Sequence, residues 1–189
     1  MTTIQQYDAV IARCRDLFSR KAADYGTSWR VLRPISITDQ IYIKAWRIRH
    51  IQEQGFQVIG DSIESELVGI VNYGLIALIQ ERHAADAEYD WTPAQALAAY
   101  DHEAAEVRGL MLAKNTDYGE AWRDMSQQGK VDLILVKLLR IRQILANDGR
   151  TQVSEGTAAN FSDIINYAVF ALILAGAAQQ HSTPTTLQA

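Results

Sequence analysis

The chain has 189 residues, 48% of them apolar and 21% charged, and carries a net charge of −4. That length can bury a sizeable core, and the acidic balance argues against extended binding to DNA or RNA, which normally uses a basic face. The single cysteine, Cys14, excludes an internal disulfide and any cysteine-based zinc cluster.

In chain order, Thr2 or Thr3 is expected to cap a first helix running to about Ala23. Ile4, Val10, Ile11, Cys14, Leu17 and Phe18 recur there at helical spacing. Asp24-Tyr25-Gly26 ends it, and a loop follows through Pro34. Thr38 is expected to cap a second helix that ends at Gly55. Asp61-Ser62-Ile63-Glu64 resembles a capping box and opens a third helix to about Arg82. Residues 84–91 read as a linker. Thr92-Pro93-Ala94-Gln95 then starts another helix, with a cap, a proline at the first helical position and a glutamine at the third. The next helix is expected from about Val131 to Ala146, closed by Asp148-Gly149. Ser154 is expected to cap the last helix, to about Gln179, and residues 181–189 read as a flexible tail. No stretch keeps the alternation of a half-buried strand, so an all-α fold is expected.

The N-terminus lacks a basic region followed by an apolar stretch, so no signal peptide is expected. The most apolar segment, Ile164 to Ala178, is about 15 residues long, short of the roughly 20 that cross a bilayer. A buried core helix, no membrane partner and a cytoplasmic location are the expectations.

The chain is written twice. At a shift of 93 residues, Lys21-Ala22-Ala23-Asp24-Tyr25-Gly26 falls on Lys114-Asn115-Thr116-Asp117-Tyr118-Gly119, and Trp29 on Trp122. Tyr7-Asp8 and Arg15 fall on Tyr100-Asp101 and Arg108; Asp39, Lys44, Arg47 and Arg49 fall on Asp132, Lys137, Arg140 and Arg142. At a shift of 94, Asn72-Tyr73 falls on Asn166-Tyr167. Residues 1–83 and 92–180 are therefore read as tandem three-helix repeats. Packed about a pseudo-two-fold axis, they would bury far more apolar surface than either alone. A homodimer would extend the same logic.

Three constellations could carry chemistry. In the first, Lys21, Asp24, Tyr25 and Trp29, with Lys114, Asp117, Tyr118 and Trp122, could hold a nucleotide. The aromatic rings would stack on the base while the ammonium meets a phosphate; the alternative is a shared structural loop. In the second, Lys44 with Arg47, and Lys137 with Arg140, project from one face of the middle helix. They suit a phosphate chain or simply a solvated basic stripe. In the third, Glu155, Asp163, Asn166 and Tyr167 lie within about 120° on the last helix. A carboxylate in such an apolar helix needs a partner, either a middle-helix cation such as Arg140 or a divalent cation held by oxygen ligands. The first copy keeps Asn72 and Tyr73 but has Gly69 at the position of Asp163, with Glu64 and Glu66 nearby. The four histidines show no ligand spacing, and there is no glycine-rich phosphate loop.

Lys-x-x-Asp-Tyr-Gly-x-x-Trp, then Asp-x4-Lys-x-x-Arg, then an acidic residue leading to Asp-x-x-Asn-Tyr, resembles the first of the nucleotide modification associated domains, which part of that family carries in tandem. The resemblance implies handling of nucleotides or modified bases. A more distant similarity is to the MazG-like all-α nucleoside triphosphate pyrophosphatases, although their Glu-Glu-x-x-Glu signature is absent. On that reading Glu155 and Asp163, with Asp132 or Asp117, would hold Mg²⁺, and Lys137 and Arg140 would neutralise the phosphates. A non-catalytic nucleotide-binding module is the alternative, and a helical interaction protein is the third reading.

Overall fold

The computed structural model describes residues 1–86, 89–153 and 155–181, with the last five of these described by their backbone alone. Six α-helices make up the described chain: α1 (Thr3–Tyr25), α2 (Pro34–Gln54), α3 (Ile63–Arg82), α4 (Pro93–Tyr118), α5 (Gln127–Ala146) and α6 (Gly156–His181). Short 3-10 turns occupy Ser28–Val31 and Ala121–Arg123, and no strand occurs among the described residues. The fold is all-α, as the sequence implies. Thr2 and Thr92 close α1 and α4 with the same reciprocal box, each using a glutamine at the third helical position. Gly26 and Gly119 end these two helices at the same φ of 61°, a left-handed conformation that favours glycine.

Three helix starts differ from expectation. α2 begins at Pro34 with Arg33 at the cap, so Thr38 lies one turn inside, its hydroxyl donating to the Pro34 carbonyl at 2.8 Å. Proline lacks an N–H that would need a partner in the first turn, so the helix starts at it rather than after it. α5 begins at Gln127, ahead of Val131, with Ser126 accepting the Gly129 N–H at 2.9 Å. Its first turn is polar, so apolar periodicity did not mark it. Ser62, not Asp61, caps α3 and accepts from the Ser65 N–H at 3.1 Å. The expected cap Ser154 and the tail after His181 lie outside the described residues.

The buried core is one continuous cluster drawn from all six helices. The two repeats thus share one core, each burying apolar surface against the other. α3 and α6 pack against each other at its centre, and α2 packs on α5. Gly74 permits the central crossing: a Cβ there would lie 2.6 Å from Cγ1 of Ile165. α1 leans on α6 and α4 on α3, so the first helix of each repeat covers the last helix of the other.

Paired contacts display the pseudo-two-fold axis. Arg15 donates to Asp101 at 2.6 and 2.7 Å, and Arg108 to Asp8 at 2.7 and 3.0 Å. Arg142 meets Asp39 at 2.7 Å, and Arg49 approaches Asp132 at 3.6 Å. The last linker residue packs onto the first repeat. Trp91 is buried, edge-on to Trp29 and His83, with the Arg30 guanidinium 4.2 Å from its ring centre.

Two helical segments, Ile63–Arg82 and Gly156–Gly176, are long and apolar enough to cross a membrane by length and composition. The second exceeds the shorter apolar run marked out in the sequence. Both belong to the central helices, and most of each is buried inside the bundle.

Candidate functional site

Two pockets, of about 360 and 350 Å³, have equivalent walls. In the first repeat they include Phe18, Lys21, Tyr25, Trp29, Asn72 and Tyr73. In the second they include Met111, Lys114, Tyr118, Trp122, Asn166 and Tyr167. Each pocket forms where the end of the repeat's first helix and the 3-10 turn after it meet its last helix. The Lys-x-x-Asp-Tyr-Gly-x-x-Trp segment and the Asn-Tyr pair, far apart in sequence, thus share one cavity.

Both tryptophans hold a buried indole N–H with no hydrogen-bond partner. Buried donors are normally paired, and the same vacancy recurs in both copies. Asn72 and Asn166 are buried, and each carbonyl oxygen accepts from a tyrosine hydroxyl of the opposite repeat. Asp24 and Asp117 are exposed and line neither pocket.

The repeats differ in where they keep their carboxylate. In the first, Glu66 accepts from Lys44 at 3.1 Å and from Arg47 at 2.6 Å. Arg47 is further tied to the carbonyls of Ile59 and Asp61 at 3.2 and 2.9 Å. In the second, Asp163 accepts from Lys114 at 2.5 Å and from Lys137 at 2.6 Å. Burial pushes the Asp163 carboxyl upward, but the two lysines outweigh it and hold it below the usual carboxylate range. The positions are exchanged by one helical turn. Asn160 occupies the place of Glu66, and Gly69 the place of Asp163.

The profile of the family described as nucleotide modification associated domain 1 matches residues 21–80 and 114–174. The chain belongs to that family. No curated protein and no solved structure matches it significantly. The two nucleotide modification associated domain 1 segments begin at Lys21 and Lys114 and each reaches past the Asn-Tyr pair. Each segment therefore contains the lysine, tyrosine and tryptophan walls of its own pocket, while most of α1 and α4 lies outside it.

An adjoining groove of about 800 Å³ in the second domain, sharing Asp163 with the aromatic pocket, is lined by Lys137, Arg140, Glu155 and Asn160, among others. It brings together the four residues that the pyrophosphatase resemblance would make catalytic. Asp132 is not among them; it lies at the α2–α5 contact facing Arg49. Among the described residues no three His, Cys, Asp or Glu side chains converge as a metal site would need. Both oxygens of Asp163 are already taken by ammonium groups, so the donor set as assembled does not fit Mg²⁺.

The sequence marks the Asn-Tyr pairs but does not assign their tyrosines to the aromatic walls. Tyr73 and Tyr167 line the pockets, and their repeated Asn-Tyr pairing was the available signal. Glu66 was visible only as a nearby acid, because its partners lie on another helix.

Proposed function

We propose that this protein is a nucleotide-binding helical module with two related pockets, one in each domain of its nucleotide modification associated domain 1 pair. The observation that carries the reading is the repeated wall: two tyrosines, a tryptophan with an unpaired buried N–H, and a lysine, around about 350 Å³ in both copies. Aromatic faces stack on planar bases irrespective of sequence. The indole N–H offers a donor to a base or sugar oxygen, and the ammonium suits a phosphate. A cavity of this volume lies at the small end of ligand sites and fits a mononucleotide rather than a polymer, in keeping with the acidic net charge.

Titration calorimetry with nucleosides and with nucleoside mono- and triphosphates, including modified bases, tests this. Saturable heats are expected, weakened by Trp29→Phe and Trp122→Phe. No heat from any member of the panel removes the reading.

The groove along α5 and α6 favours a second reading, cleavage of a nucleoside triphosphate, because it gathers Lys137, Arg140, Glu155 and Asp163. Mg²⁺ at Glu155 and Asp163 would have to displace both lysines from Asp163. Phosphorus NMR separates the two. Pyrophosphate and a monophosphate appearing from a triphosphate support hydrolysis, whereas unchanged spectra alongside saturable binding support the module.

A further inference from the structure

Each domain carries the same three cations: Lys21, Lys44 and Arg47 in the first, Lys114, Lys137 and Arg140 in the second. Each also carries one carboxylate against them. The carboxylates sit one turn apart on equivalent helices, Glu66 on α3 and Asp163 on α6. The consequence is electrostatic. Glu66 draws on Lys44 and Arg47, and Lys21 makes no ion pair with a described residue. Asp163 draws on Lys114 and Lys137, and the cation left over is Arg140, in the outer groove. The aromatic pocket of the first domain is thus lined by Lys21 and Lys44 with no carboxylate in its wall. The aromatic pocket of the second is lined by Lys114 with Asp163 beside it.

Gly69 is the residue that makes room for this difference. A Cβ at that position would lie 2.9 Å from both Cδ and Cε of Lys44 and 3.3 Å from its Nζ. The Lys44 stem therefore runs directly over the backbone where the second domain places Asp163. Removing the carboxylate frees the charge of the pocket and also lets the lysine fold down into its wall.

From this exchange of Glu66 and Gly69 for Asn160 and Asp163 we infer that the two pockets have diverged in ligand charge. The first-domain pocket holds a phosphate-bearing ligand, its anion between Lys21 and Lys44. In the second-domain pocket Asp163 occupies the anion's place, so that pocket accepts the uncharged nucleoside or base. Lys21 has no counter-ion among the described residues and the Glu66 partner of Lys44 lies outside the pocket wall, so both ammonium groups gain a charge-assisted contact from a phosphate. A pair already bridged by the partly buried Asp163 carboxylate would lose that bridge and set two anions side by side. The ligand class rests on the nucleotide-binding reading; the division of charge does not.

Three full-length variants test the inference by calorimetry against a nucleoside monophosphate, the matching nucleoside, and inorganic pyrophosphate. Gly69→Asp restores the missing carboxylate. Lys21→Gln changes an exposed side chain and leaves folding intact, which a circular dichroism melt verifies. Asp163→Asn opens the second pocket. The wild type is expected to bind one monophosphate per chain, with Gly69→Asp and Lys21→Gln each weakening it about tenfold or more. Asp163→Asn should raise the stoichiometry toward two. Nucleoside affinity should be unmoved by Lys21→Gln. Monophosphate binding that ignores Gly69→Asp and Lys21→Gln overturns the inference and leaves the nucleotide reading standing. Pyrophosphate binding that follows these variants, without any nucleoside or nucleotide binding, does the reverse. Silence from all three ligands removes both.

Discussion

The Tyr7 hydroxyl donates to the Asn166 carbonyl oxygen at 2.8 Å, and its counterpart Tyr100 donates to Asn72 at the same distance. Each bond joins the first helix of one repeat to the last helix of the other, inside the core. Burial pushes both phenols above their ordinary range, so they stay neutral donors across the working pH range. The two asparagines are thereby fixed at the back of the pockets they line.

Tyr100→Phe leaves the Asn72 carbonyl oxygen without its donor while keeping the ring. Urea unfolding should show a loss of about 1–3 kcal/mol. A loss below about 0.5 kcal/mol would mean that the oxygen is satisfied without the hydroxyl.

The reciprocal pairs Arg15–Asp101 and Arg108–Asp8 are as strictly duplicated, yet their side chains are about half exposed. Asp8→Asn should therefore cost less than about 1 kcal/mol, and the effect should shrink in salt. Melting curves at low and high ionic strength measure this. A large, salt-independent loss would show that these pairs do more than border the repeat interface.

Asp163 sets an acid limb on stability. Its folded pKa lies below the ordinary value because the pull of Lys114 and Lys137 exceeds the opposing effect of burial. Its contribution is therefore complete above pH about 4 and is lost as pH falls through the depressed folded value. Urea midpoints measured from neutral pH down to about 2 should fall less steeply in Asp163→Asn than in the wild type. Parallel curves would remove this carboxylate from the account.

Lys130 is fully buried, donating to the Met125 carbonyl at 2.6 Å, where the first repeat has the equally buried Ile37. Burial lowers its pKa, so the folded protein holds this proton less tightly than the unfolded chain. Stability from this site thus rises as pH climbs toward the ordinary lysine value of about 10.4. Lys130→Ile should stabilise the protein at neutral pH by about 1 kcal/mol and abolish that rise. Denaturant midpoints at neutral and alkaline pH provide the check; a net loss would show that the carbonyl bond outweighs the burial.

The sequence by itself determined the helical class, the two repeats and the residues that recur, because periodicity, capping boxes and a 93-residue shift are local or self-referential signals. It could not sort those recurring residues. Asp8, Arg15, Asp39, Asp132 and Arg49 look as functional in sequence as Lys21 or Trp29, yet they meet across the pseudo-two-fold axis, and Tyr7 with Asn166 ties the core. Only the tertiary structure separated contacts between repeats from pocket walls, because both depend on which helix faces which. The exchange of Glu66 for Asp163 was decided there as well. One turn along a helix moves a carboxylate by about 5 Å, far enough to change which lysine it neutralises, and the partner lysines lie on helices whose positions no local pattern records.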